Sequence, residues 1–263
     1  MLSVVAPDYK DPLLHKTIDS LLDNSESELE VIAVLDGCDS TLPFREDDRI
    51  KVVRLGRNRG MRGAINAGVR VAKGDYLMRT DEHCIFGQGY DRIITTQMDD
   101  NWIVSPRRYF LDPVKWERMD LPYVDYEKLV TQHTRDGKKF AGHPWRERSE
   151  ERKDIMIDET MAIQGSVWFM KHSWWDKVIG ELQTDGYGPL IQDSHEMQFK
   201  TWQAGGKLML NKNTWFAHKH SSFPRTHNNG TPENPANCEQ GYAYAISVWG
   251  DYYEKEVRPK WKI

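Results

Sequence analysis

Cysteine is scarce in this chain, with three in 263 residues, and Cys38, Cys84 and Cys238 show neither paired spacing nor a C-x-x-C. That excludes a disulfide framework and a cysteine-built zinc site, and leaves free thiols. No apolar run approaches the roughly 20 residues that cross a bilayer. The opening Met1-Leu2-Ser3-Val4-Val5-Ala6-Pro7 is too short for a signal peptide and reads as a strand, so no membrane partner is expected and a cytoplasmic location is the default. Basic excess is also missing: the net charge of −4 argues against a general nucleic-acid coat protein. No internal repeat or linker divides the chain, so residues 1–263 are expected to form one domain. A nucleotidyltransferase would carry a G-x-G-x-R loop after the first strand, and Ala6-Pro7-Asp8-Tyr9 stands there instead.

What is present is an alternation of strand and helix. Leu2 to Ala6, Val31 to Leu35 and Ile50 to Leu55 read as strands. Asp11-Pro12 looks like an N-cap with proline at the first helical position, ahead of an apolar face at Leu13, Leu14, Ile18, Leu21 and Leu22. Met61, Ala64, Ile65, Gly68, Val69 and Ala72 follow helical spacing, and Tyr76-Leu77-Met78 is a further strand. Such alternation predicts an α/β fold with a largely parallel, Rossmann-like sheet and helices on both faces. Ligands then collect at the carboxyl ends of strands, where Asp8, Asp36 and Asp81 stand.

From Pro106 to about Asp158 the pattern loosens, and the mixed-charge run from Arg146 to Asp154 reads as a solvated loop or exposed helix. Later signals are a strand within Thr160 to Met170, a helix capped by Asp193 or Ser194 and ended by Gly205-Gly206, and a last helix from about Gln240 into Val257. Residues 221–237, rich in Pro, Asn, Thr and Gly, read as a mobile loop. The ten tryptophans, gathered after residue 100, fit core packing better than a sugar-binding cleft.

The densest chemistry is Asp81-Glu82-His83-Cys84. Residues two apart on an extended segment project to one side, so Asp81 and His83 can grip one divalent cation together. A third candidate lies in Trp215-Phe216-Ala217-His218-Lys219-His220, where His218 and His220 compete. Carboxylate with imidazole suits Mn²⁺, though Zn²⁺ or another divalent cation would also be held.

These residues resemble the GT-A glycosyltransferases. Ser3-Val4-Val5-Ala6-Pro7-Asp8-Tyr9, the Glu30 to Ser40 segment and Asn58-Arg59-Gly60 with Ala64-Ile65-Asn66-Ala67-Gly68 are similar to the nucleotide-sugar half of family 2 enzymes. Asp81-Glu82-His83-Cys84, Trp202-Gln203-Ala204-Gly205-Gly206-Lys207-Leu208 and Val248-Trp249-Gly250-Asp251-Tyr252-Tyr253 resemble the catalytic domain of the retaining polypeptide N-acetylgalactosaminyltransferases. The resemblance implies a GT-A fold with a nucleotide-sugar half at 1–105 and a smaller acceptor-side subdomain at 106–263. It implies metal-dependent transfer of a sugar from a UDP-sugar to a hydroxyl acceptor, with Asp81, His83 and His218 as the metal triad. The acceptor stays open between protein Ser or Thr, a glycan and a hydroxymethylated pyrimidine in viral DNA, and a degenerate sugar-nucleotide binder is the lesser alternative.

Within that reading Asp8 and Asp36 are candidates for the uridine base and ribose, or else cap the helices that follow them. Arg62 and Arg79 are candidates to offset diphosphate charge, and Gln164 and Gly165 to form the floor beneath the sugar. Inverting relatives carry Glu-Asp before the Trp202 helix, the Asp being the base; here Asp193-Ser194 stands there, closer to the Glu-Asn of retaining relatives. Asp193 is expected to hydrogen-bond the transferred sugar or acceptor hydroxyl. Glu196 acts nearby or pairs with Lys200 at i+4. His227 and Asn228 fall in the loop expected to close over the donor.

Overall fold

The computed structural model describes residues 1–188, 190–220, 230–231, 234–235 and 238–263. The loop expected at 221–237, with His227 and Asn228, lies outside the described residues apart from a short ladder of Gly230–Thr231 with Asn234–Pro235. In chain order the first half is β1 (Leu2–Asp8), α1 (Leu14–Asp23), β2 (Leu29–Asp36), β3 (Ile50–Leu55), α2 (Gly60–Val71), β4 (Tyr76–Thr80), β5 (Cys84–Phe86) and α3 (Tyr90–Thr96). The second half is β6 (Trp102–Asp112), β7 (Glu117–Arg118), β8 (Glu127–His133), β9 (Lys138–Pro144), α4 (Arg146–Glu151), β10 (Ile157–Glu159), β11 (Val167–Lys171), α5 (His172–Trp174), α6 (Asp193–Gln203), β12 (Lys207–His218), α7 (Cys238–Tyr252) and α8 (Arg258–Trp261). Among the described residues no helix is long and apolar enough to cross a membrane.

The central sheet runs β10-β12-β6-β11-β4-β1-β2-β3, with β5 and β7 attached at its β12 and β6 end. The four strands β4, β1, β2 and β3 are parallel, as a run of strand and helix units requires. Antiparallel β11 joins them to β6, which pairs in parallel with β12. Every residue of β1 and β2 is buried, because helices cover both faces. Leu2, Val4 and Ala6 pack with Leu14, Ile18, Leu21 and Tyr90 on one side. Val5, Ile32 and Val34 pack with Ala64, Ile65, Val69 and Met197 on the other. A third cluster joins Leu129 and Phe140 of the hairpin, Phe199 of α6 and Trp249 of α7.

Several local readings are corrected. α1 begins at Leu14 with Leu13 as its cap, and Asp11 stands outside it, accepting the Leu13 N–H at 2.8 Å. The loosened stretch contains an antiparallel hairpin of β8 and β9 that patterning missed: only one of its faces is buried, and its basic and polar outer face hides the period. β12 runs from Lys207 to His218 through an irregularity between Asn211 and Trp215, and its far end carries His218. α4 buries no residue, which fits the solvated reading of its charge run.

α2 lies close on the sheet at Gly68, where a Cβ would fall 2.4 Å from Val5 Cγ1 and 3.0 Å from Val34 Cγ2. Gly68→Ala should therefore destabilise the fold by about 1–3 kcal/mol through overpacking, despite a helix-propensity gain approaching 1 kcal/mol. Urea denaturation checks this; an unchanged or raised midpoint would mean that α2 has room to lift.

Candidate functional site at the end of the parallel strands

β4 delivers the Asp81 motif to the carboxyl edge of the parallel strands, and the chain is held there by the Asp81 N–H donating to Ser166 O at 2.9 Å. β5 pairs antiparallel with the end of β12, placing His218 opposite Cys84, and the Lys219 N–H donates to His83 O at 3.1 Å. The result is convergence of three residues from distant segments. His218 Nε2 lies 3.0 Å from Asp81 Oδ2, the two imidazole centroids are 4.9 Å apart, and one ligand atom from each of Asp81, His83 and His218 falls within 4.8 Å of the others. His220 packs on Phe110 and His218 at 4.8 and 4.7 Å but is not one of that set. The sequence left the two histidines in competition, and the backbone register puts His218 in the triad.

Burial and neighbouring charges act on the same residues in different directions. Burial opposes charge on Asp81, but Arg79 and the flanking imidazoles outweigh it and hold the carboxyl well below the usual range. Burial depresses His218, leaving its ring neutral and able to donate a lone pair, and pushes His220 down to about 3. Burial would depress His83 too, but the carboxylates of Asp11, Asp81 and Glu82 raise it overall.

Arg79 is the hub beneath this cluster. Its Nη2 donates to Asp81 Oδ1 and its Nη1 to Gly165 O. Gly165 adjoins the start of α6: a Cβ there would sit 3.4 Å from Ser194 Oγ. Gln192 precedes α6 at φ +59°, a left-handed conformation costly for a residue with a side chain. Asp193 is close enough to Arg79 to help hold the guanidinium charged. Gln164 accepts from Arg108, whose guanidinium also reaches Glu127 at 3.2 Å. Patterning missed Arg108 and Asp11. Arg108 lies in the stretch after Pro106 where the pattern loosens, and Asp11 read as a helix cap.

Other site candidates are placed differently. Asp36 is buried, its oxygens accepting the N–H groups of Arg59 and Gly60 at 2.6 and 2.8 Å and the Asn58 amide at 3.0 Å. It anchors the start of α2, and burial raises its carboxyl to about 6. Asp8 accepts the Asp11 N–H at 3.0 Å in the turn after β1. Arg79 meets Asp81 rather than standing free for a diphosphate. Arg62 and Glu196 face each other with side chains 0% and 1% exposed, which places Arg62 away from the expected diphosphate and gives Glu196 the expected Lys200 partner in a buried rather than an exposed setting. Arg62 also donates to Ile191 O and Gln183 O and stacks 4.1 Å from the Tyr187 ring, while Glu196 takes Lys200 at 2.7 Å. That pair ties α2 to α6 and leaves neither group for the diphosphate or the reacting sugar.

Arg62→Met should lower stability by roughly 3–5 kcal/mol, since it leaves a buried carboxylate with Lys200 as its remaining charged partner, and adding Glu196→Leu should restore most of the loss. Thermal denaturation of the two variants checks the sign. Loss of turnover in folded Glu196→Gln would instead return Glu196 to the reaction.

Comparisons with known proteins bear on the family and the fold. The glycosyl transferase family 2 model matches residues 3–146. Polypeptide N-acetylgalactosaminyltransferase 4 of Mus musculus is 24% identical over 266 residues, covering 92% of this chain and 42% of the relative. The glycosyltransferase EpsJ of Bacillus subtilis (strain 168) is 30% identical over 185 residues, covering 62% and 53%. The chain thus spans about half the length of the curated relatives it matches. A crystal structure of GalNAc-T7 with UDP, GalNAc and Mn²⁺ superposes with a TM-score of 0.69 at 16% identity, covering 98% of this chain and 50% of that one. The fold is GT-A, and the chain belongs to glycosyl transferase family 2.

Proposed function

We propose that this protein transfers a hexosyl or N-acetylhexosaminyl group from a UDP-sugar to a hydroxyl acceptor, with a divalent cation, Mn²⁺ first, held by Asp81, His83 and His218. The observation that carries the reading is the convergence of those three side chains at the carboxyl edge of the parallel strands. The donor set fits such an ion: one carboxylate held ionised and an imidazole, that of His218, held neutral, its Nε2 turned toward Asp81 at 3.0 Å and its buried Nδ1 without a hydrogen-bond partner among the described residues. When bound, the ion offsets the negative charge that grows on the departing diphosphate. The GalNAc-T7 neighbour, crystallised with UDP, GalNAc and Mn²⁺, supports the donor and metal class.

The chain's own residues supply placement. Asp8 and Asp36 end adjacent parallel strands and frame the nucleoside side, Asp36 by fixing the start of α2. Arg79 keeps Asp81 ionised and holds Gly165 beneath the sugar, with Gln164 steadied by Arg108. Asp193 hydrogen-bonds the transferred sugar or the acceptor hydroxyl. Ser194 stands where inverting relatives have their catalytic base, and a neutral serine hydroxyl is far too weak a base for that task. The resemblance to the retaining relatives implies transfer with retention: the acceptor oxygen attacks the face from which the diphosphate leaves, and its proton passes to the departing phosphate oxygen.

Incubation with a panel of UDP-sugars and Mn²⁺, alone and with Ser/Thr peptides, glycans or hydroxymethylated DNA, should release UDP in a chelator-sensitive way. Release that ignores the chelator, or no release from any donor, sinks this reading. His218→Ala should weaken Mn²⁺ binding by more than the roughly 10–100-fold governed by outer partners, while His220→Ala stays near the parent. Equal losses would place the third ligand elsewhere.

A further inference from the structure

His83 is fixed from the opposite side by residues some 70 positions earlier. Thr17 Oγ1, in the first turn of α1, donates to Glu82 O at 2.8 Å and accepts the Cys84 N–H at 3.0 Å, clamping the backbone on both sides of His83. The ring is held separately. Asp11, whose side chain is fully buried, lies with Oδ2 3.0 Å from His83 Nδ1, while its Oδ1 accepts the Leu13 N–H and its own N–H donates to Asp8.

We propose that Asp11 is a positioning residue that holds the proton of the His83 ring on Nδ1 and so presents the bare Nε2 to the divalent cation. The inference rests on the metal reading above. A carboxylate offers no proton, so at 3.0 Å the ring nitrogen is the donor, and the lone pair of a neutral ring is left on Nε2. Carboxylates behind metal-binding imidazoles fix both tautomer and orientation in this way. Asp11, Glu82 and His83 also lie close enough to form a ligand set of their own, so the competing role for Asp11 is direct ligation through Nδ1 of the same ring.

Asparagine separates the roles. Asp11→Asn has one amide oxygen; used on Leu13, it turns the NH₂ toward Nδ1 and drives the ring proton to Nε2. Ring ¹⁵N NMR on histidine-labelled protein, at a pH where His83 is neutral, should show Nδ1–H in the parent and Nε2–H in Asp11→Asn. Mn²⁺ affinity, read by electron paramagnetic resonance, should fall about 10–100-fold. Cd²⁺, a diamagnetic probe, should perturb Nε2 of the parent. A parent ring protonated on Nε2, Cd²⁺ on Nδ1, or parental Mn²⁺ affinity in the variant would each overturn the proposal; the first two need no variant to fold. A parent that binds no metal but shows the Nδ1–H tautomer would sink the metal reading instead.

Discussion

The buried pair of Arg79 and Asp81 is the contact on which the rest of the site depends. Asp81 stands at the mouth of the sheet, where burial alone would favour a neutral acid. Arg79, two residues earlier on the same side of β4, supplies the opposite charge through a guanidinium that is itself almost fully buried. Because the guanidinium is planar with several donors, the same group that neutralises Asp81 also holds Gly165, and through Gly165 the start of α6. One guanidinium thus sets the ionisation of Asp81 and the position of the Gly165 loop.

A second buried pair does different work. Arg62 and Glu196 meet in the interior between α2 and α6, and their remaining polar atoms reach Gln183, Ile191 and Lys200. Two ionised pairs a few turns apart are therefore divided by exposure and by what lies between them. The site pair leaves one carboxylate oxygen toward two imidazoles, whereas the interior pair has its oxygens filled by protein donors. Burying charge is costly in either place, and only the site pair keeps a carboxylate oxygen facing other candidate ligands.

This division explains how much was legible in the sequence. The parallel half was readable because β1, β2 and β4 are near-continuous apolar runs separated by amphipathic helices. Asp81 with His83 was readable because spacing of two on a strand puts both on one side. The choice of His218 over His220 depended on the resemblance, and the paired strands β5 and β12 bring His218 beside Asp81 and His83. Arg62 and Glu196 misled because a charged residue on a helix reads as solvent-facing when its partner is 134 positions away. Asp11 misled because Asp-Pro ahead of an apolar stripe carries the local signature of a cap, while its bond to His83 spans 72 positions. Long-range pairing of polar groups has no periodicity, so patterning finds the elements and misses the contacts between them.

The central claim is that Asp81, His83 and His218 hold one divalent cation against a nucleoside diphosphate. It is tested most directly by diffraction from crystals grown with Mn²⁺ and UDP, collected at the manganese absorption edge. The account predicts one anomalous peak within bonding distance of the Asp81 carboxylate and of both imidazoles, with diphosphate oxygens on its open side. A peak on Asp11 and Glu82 instead, or UDP bound with no manganese at all, would contradict it.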